Sequence, residues 1–279
     1  MAHDFQLVDV FGSGPFSGNP LAVVADAGDL DTGTMQAITR WLNLSETTFL
    51  LPPTDPEADY RVRIFTLERE LPFAGHPTLG SCHAWLTGGG MPKRSDRVVQ
   101  ECPAGLIPLR RNAAGLAFAA PPLLRDGPVD EARIAELAEV LRLDRSEIVE
   151  ARWADNGPGW IALLLKSAEA VLAVEPARHH STRIDVGLIG PWPEGSEVAF
   201  ELRVLFSDHH GGLLEDPVTG SFNASAAQWL LGSGRAQSPY VAAQGTRLGR
   251  RGRIRVDQEG ETIWIGGRAE TFFSGRTHF

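Results

Sequence analysis

Two short stretches, Gly80-Ser-Cys-His-Ala84 and Ser221-Phe-Asn-Ala-Ser-Ala-Ala227, constrain this chain more than any others. Each lies in a segment that reads as a helix, one from Pro77 to Leu86 and one from about Gly220 to Leu231. Proline is tolerated at the first start, and Gly88-Gly-Gly90 stops the same helix. A helix surfaced with Gly, Ser, Cys and Ala carries little bulk of its own, so other elements can close tightly around it. Most of the remaining signals are strands. The pattern predicts two similar α+β halves, each a mostly antiparallel sheet wrapped around one central helix.

A weak internal repeat points the same way. Shifted by 144, Ser81, Trp85 and Leu86 meet Ser225, Trp229 and Leu230; shifted by 140, His76-Pro77 meets Asp216-Pro217 and Gly80-Ser81 meets Gly220-Ser221. Ala119-Ala-Pro-Pro122 is the best internal boundary, which gives lobes 1–120 and 121–279, with the last strand free to return to the first lobe.

In the first half, strands are expected at 5–10, 19–24, 47–51 and 60–66, and near Val98, Leu106 and Leu116. Asp31 or Thr32 caps a helix with Met35, Ile38, Trp41 and Leu42 on one face, and Asn43 ends it. The second half is expected to hold a helix from Asp130 to Leu141, a strand at 160–165 and a short helix at 167–173. Val198, Phe200, Leu202, Val204 and Phe206 alternate as its clearest strand, and further strands lie near Tyr240, Ile254, Ile263 and 269–273.

At 279 residues the chain can bury a sizeable core without a disulfide or a metal. Against 26 basic residues stand 35 acidic ones, a formal charge of −9, so no global positive field gathers phosphate backbones and nucleic acid is not an expected partner. The longest apolar stretch, Ile161 to Val174, is broken by Lys166 and Glu169, so no membrane span is expected. Met1-Ala-His-Asp lacks the features of a signal peptide, and Cys82 and Cys102 form neither a disulfide framework nor a zinc spacing. A cytoplasmic setting is expected.

Three polar clusters interrupt apolar segments. In Asn43-Leu-Ser-Glu-Thr-Thr-Phe49, Glu46 sits between a helix end and a strand, where a carboxylate can be held partly desolvated with its pKa raised. In Leu71-Pro-Phe-Ala-Gly-His-Pro-Thr78, His76 stands at a helix start, where free backbone N–H groups favour an anion. In Glu215-Asp-Pro-Val-Thr-Gly-Ser221, Asp216 precedes the second helix, and Thr219 or Ser221 can cap it. Singly, each reads as a turn or a cap. If the two halves face each other, the two helix starts converge on one cleft and supply donors for a substrate carboxylate, with Glu46, His76 and Asp216 as proton-transfer groups.

The pairs His179-His180 and His209-His210 lack carboxylate or cysteine companions and read as solvated loops, so no metal site is expected. Gly245 to Arg253 is basic and Gly-rich, yet it has no GxGxxG between strand and helix and reads as a hairpin loop. Ser221 lacks a GxSxG elbow, which leaves little support for covalent hydrolysis.

The chain resembles the PhzF family, the phenazine-biosynthesis-like isomerases related in fold to diaminopimelate epimerase. The resemblance rests on Gly18-Asn-Pro-Leu-Ala-Val-Val24, Asn43-Leu-Ser-Glu-Thr-Thr-Phe49, Arg63-Ile-Phe-Thr66, Glu70-Leu-Pro-Phe-Ala-Gly-His-Pro77 and Glu215-Asp-Pro-Val-Thr-Gly-Ser221. It implies a two-lobed fold with a cleft between the lobes, no cofactor, and a homodimer. It implies Glu46 as the acid and base that moves a proton, with His76, Asp216 and Ser221 around the reacting skeleton. Asn19, Ser45, Gly75, Thr219 and Gly220 enter as substrate-binding positions. The expected activity is a cofactor-independent isomerisation of a small carboxylated metabolite. Two alternatives stand beside it: an epimerase or racemase acting on a small amino or hydroxy acid, and a metabolite-binding protein without turnover.

Overall fold

Local chemistry starts the first helix where the sequence predicts. The Asp31 carboxylate accepts the Thr34 N–H at 2.7 Å, satisfying one of the orphan donors at the start of α1 (Thr32–Leu42). Asn43, left-handed at φ 56°, ends it. Met35 is buried with Val24, Phe49 and Phe65, and Ile38 packs against them. Trp41, expected on this face, is instead 84% exposed. The face is set by the i, i+3, i+7 spacing of Met35, Ile38 and Leu42, and Trp41 stands about 120° round the helix from Met35.

The structure is a computed structural model that describes residues 2–112, 115–208 and 210–279. It divides into Met1–Ala119 with Gly266–Phe279, and Ala120–Ile265. Before α1, the first unit opens with β1 (Asp4–Val10) and β2 (Asn19–Val24). After it come β3 (Glu46–Leu51), β4 (Tyr60–Thr66), β5 (Glu70–Leu71), α2 (Gly75–Thr87), β6 (Arg97–Cys102), β7 (Gly105–Asn112) and β8 (Gly115–Ala119). Among the described pairs, β2 with β3 and β4 with β6 are parallel, each reached by a crossover through a helix, and β1 with β2, β3 with β4, β6 with β7 and β7 with β8 are antiparallel.

The second unit contains β9 (Arg125–Pro128), α3 (Glu131–Leu141), β10 (Ile148–Asp155), β11 (Ile161–Leu165), α4 (Ala168–Ala173), β12 (Asp185–Pro191) and β13 (Phe200–Ser207). It continues with β14 (Leu213–Asp216), α5 (Gly220–Gly232), β15 (Tyr240–Gln244), β16 (Gly252–Glu259) and β17 (Thr262–Gly267), the last running across the boundary at Ile265. Here the parallel pairs are β11 with β12, across α4, and β13 with β15, across β14 and α5. The first unit follows the same scheme: α1 crosses from β2 to β3, while β5 and α2 cross from β4 to β6. Finally, β18 (Ala269–Arg276) returns to the first unit and pairs antiparallel with β1.

The two small-residue helices are thus equivalent. Both span 13 residues and begin at glycine, Gly75 and Gly220, a spacing of 145 beside the 144 and 140 of the sequence repeat. Helix α2 begins two residues earlier than expected, because Pro77 can occupy any first-turn position whose N–H has no helical partner. It packs against β1, β2, β3, β4, β6, β8 and β18, and Gly75 through Cys82 are all buried. A Cβ on Gly80 would stand 2.5 Å from Leu21 Cδ2 and 2.9 Å from Val10 Cγ2, so the bare backbone is what lets β1 and β2 close on the helix.

The strand expected at 198–206 is β13, but its residues do not alternate in burial. Both faces are covered, so Glu201 and Arg203 are buried along with Leu202 and Val204. No helix among the described residues is long and apolar enough to cross a membrane.

Candidate active site

In the first unit the turn after Asn43 delivers Glu46 to the first position of β3, opposite Thr66 of β4. Ser45 is half-buried immediately before it. His76 lies in the first turn of α2, after Ala74, whose extended backbone begins the helix without a side-chain cap. The structure brings the two together: Glu46 Oε2 is 3.6 Å from His76 Nε2, with the side chains 15% and 3% exposed. Asn19, at the start of β2, joins them, its Nδ2 being 3.4 Å from His76 Nδ1. Burial pushes the His76 imidazole down to about 3, so the ring is neutral at physiological pH.

Asp9 has a role that motif reading missed. Its buried carboxylate accepts the N–H of Ser17 at 3.0 Å and of Gly18 at 2.8 Å, which pins the loop leading to Asn19. A Cβ on Gly18 would lie 2.1 Å from the Val10 carbonyl, so only glycine permits this approach. The available signal was an acidic residue in the apolar run Leu7-Val-Asp-Val10 just before a Gly-rich turn.

The second unit gathers Asp216, Thr219, Gly220 and Ser221 between the end of β14 and the first turn of α5. Thr219 is the residue before the helix, yet its side chain does not cap it. Its hydroxyl donates to Asp216 Oδ2 at 2.6 Å and accepts from Gln244 Nε2 at 3.0 Å. Gln244 Nε2 also reaches the Asp216 carbonyl, while Gln244 Oε1 accepts from the Thr219 N–H and from Asn223 Nδ2. Asp216 is therefore held by a side chain 28 residues away, for which no local motif exists.

Ser221 Oγ accepts the indole N–H of Trp160 at 3.1 Å, which leaves its own proton for donation. Asn156 Nδ2 donates to the Ser221 carbonyl at 2.9 Å. Ser221 is not a cap but a first-turn residue, and neither helix start carries a side-chain cap. Each start thus offers backbone donors beside glycine, which suits an anionic group.

Among the described residues, no three His, Cys, Asp or Glu side chains gather as metal ligands. His179 Nε2 contacts the His210 carbonyl at 2.8 Å, and His209 lies outside the described residues. The basic stretch from Gly245 to Arg253 includes the link between antiparallel β15 and β16, and Arg247 there pairs with Glu175.

The sequence profile of phenazine biosynthesis-like proteins (PhzC-PhzF) matches residues 8–275. The chain belongs to that family. It is 34% identical to antisense-enhancing sequence 1 of Schizosaccharomyces pombe, over 99% of this chain and 98% of that protein. It is 33% identical to the trans-2,3-dihydro-3-hydroxyanthranilate isomerase of Pseudomonas aeruginosa, over 99% of each chain. A solved structure described as a predicted epimerase from Pseudomonas aeruginosa superposes with a TM-score of 0.79 at 29% identity, over 99% of each chain. The PhzF-type chain is an enzyme of the isomerase class, with the α+β fold of the diaminopimelate epimerase kind.

A pH dependence follows from His76 in this PhzF-type fold. An unfolded imidazole titrates near 6.5, whereas burial holds this one at about 3. Below 6.5 the unfolded chain takes up a proton that the folded chain refuses, so this contribution to stability is lost as pH falls from 6.5 towards 3. Urea unfolding at stepped pH is expected to show that decline, and His76→Gln is expected to flatten it.

Proposed function

We propose that this PhzF-type isomerase moves a proton between carbons of a small carboxylated metabolite, with Glu46 as both acid and base and no cofactor. The observation that supports it most is the 3.6 Å approach of Glu46 Oε2 to Nε2 of a buried His76. A single carboxylate beside a neutral imidazole can take a proton from one carbon and return it to another on the same face of the substrate. Within the second unit, Asp216, a carboxylate held by Thr219, and Ser221, whose hydroxyl proton is left for donation, are the candidate polar groups. Each uncapped helix start, at Gly75 and at Gly220, by itself suits an anionic group. In the same reading the enzyme is a cytoplasmic homodimer.

The relative named for trans-2,3-dihydro-3-hydroxyanthranilate makes that compound the first substrate to test. Turnover in D2O followed by proton NMR is expected to show a relocated double bond with deuterium at the carbon that receives the proton. Exchange with inversion of one centre and no bond relocation would replace this reading by an epimerase. Binding without exchange, for this and other small carboxylated ring compounds, would overturn it in favour of a binding protein.

A further inference from the structure

Asn19 is completely buried, and its side-chain nitrogen meets His76 Nδ1 at 3.4 Å. An amide nitrogen donates and does not accept, so the ring nitrogen facing it must present a lone pair. A neutral imidazole has one N–H, and the hydrogen bond at one nitrogen decides where that proton sits. We propose that Asn19 is a positioning residue that fixes His76 as the Nε2-protonated tautomer and so aims the ring N–H at the Glu46 carboxylate. Burial of the imidazole keeps the second proton off the ring, so the choice of tautomer is the only protonation state left to set.

The surrounding backbone explains why this amide is held on the ring. Asn19 pairs with Val10 in the β1–β2 ladder, and the Gly18 N–H just before it is bound by the buried Asp9 carboxylate. Strand register and loop anchor together fix the backbone from which the amide projects towards the ring. This role reaches substrate only through His76, unlike the substrate-binding role that the family resemblance implies for Asn19.

The tautomer assignment stands on the contact with Asn19 and the burial of the ring, independently of any role for Glu46. Its catalytic consequence rests on the reading of Glu46 as proton carrier: an N–H directed at Glu46 favours the ionised carboxylate, and loses its acceptor charge when Glu46 takes up a proton.

Nitrogen-15 NMR of the full chain, labelled at histidine, tests the proposal. The His76 signals are assigned by their disappearance in His76→Gln. At neutral pH the wild type is expected to show a protonated Nε2 and an unprotonated Nδ1. Asn19→Asp replaces the donor by an acceptor of the same size, and is expected to place a proton on Nδ1. In the turnover assay above, the same variant is expected to lose about tenfold or more in kcat with KM within about threefold. Glu46→Gln is expected to keep the wild-type tautomer, because Asn19 sets it. A wild-type ring protonated at Nδ1, or an Asn19→Asp ring protonated as in wild type, would overturn the proposal; if Asn19→Asp does not fold, the wild-type spectrum decides. A fully active Glu46→Gln with the expected spectrum would instead defeat the shuttle reading and leave the tautomer assignment in place.

Discussion

Glu46→Gln is expected to lower kcat by roughly 10²–10⁴-fold while leaving ligand affinity largely unchanged. Glutamine keeps the shape and an oxygen acceptor toward His76 Nε2, 3.6 Å away in the wild type, but its amide cannot pick up and return a proton on the timescale of turnover. His76→Ala is expected to weaken both kcat and affinity, since it removes the neighbour that orients Glu46 and empties space beneath the helix start. Single-turnover and steady-state kinetics, with ligand titration of the inactive variant, separate the two patterns. A loss in kcat below about tenfold for Glu46→Gln would return Glu46 to an ordinary turn carboxylate at the head of β3. Equal unfolding free energies of variant and wild type are the necessary control.

Arg203→Ala is expected to cost about 3–5 kcal/mol of stability in urea unfolding. Arg203 on β13 forks onto Glu215 of β14, Nε to Oε1 at 3.1 Å and a terminal nitrogen to Oε2 at 2.8 Å. Its other terminal nitrogen donates to the carbonyls of Val171 and Val174, at 3.1 and 2.6 Å, where α4 ends. The two side chains are 3% and 11% exposed, so little water can take the place of the guanidinium. Truncation strands the Glu215 carboxylate and the Val174 carbonyl in the interior, while the Val171 carbonyl keeps the Val174 N–H, and the penalty comes mainly from those abandoned groups. Replacing both partners, Arg203→Met with Glu215→Met, is therefore expected to recover much of the loss. A cost below about 1 kcal/mol for Arg203→Ala would show that the pair behaves as a surface ion pair. Because Glu215 immediately precedes Asp216, the single variant is also expected to disturb the Asp216–Thr219 contact and hence activity.

Elements governed by neighbouring residues were legible in the sequence. Asp31, Asn43 and the Met35, Ile38, Leu42 spacing define α1; the alternation of Tyr60, Val62 and Ile64 defines β4. Beside them, β10 was not anticipated despite Ile148, Val149 and Trp153, and β9 and β12 gave no readable signal. Arg125-Asp-Gly-Pro128 has no β-branched residue, and Asp185–Pro191 carries two glycines and a proline that read as breakers. Those glycines serve packing instead. A Cβ on Gly187 would stand 2.0 Å from the Phe222 ring, and one on Gly190 would stand 2.2 Å from the Ser167 carbonyl. Neither requirement can be read locally, because the partner arrives from another part of the chain.

The site divides in the same way. Glu46, His76, Asp216 and Ser221 stand in motifs whose composition, small residues and helix starts were visible from the chain itself, and the family those motifs resemble is the one the chain belongs to. By itself, then, the sequence determined the two buried helices, the residue types at their starts and the family. Only the tertiary structure decided that Asn19 meets His76, that Asp9 holds the Gly18 backbone, that Gln244 holds Asp216 and Thr219, and that Trp160 sets the direction of the Ser221 hydroxyl. Helix signals come from contacts three or four residues apart, whereas these hydrogen bonds join residues 9 to 61 positions apart. Which side chains meet across such spans is set by strand register and helix burial, quantities that belong to the whole fold.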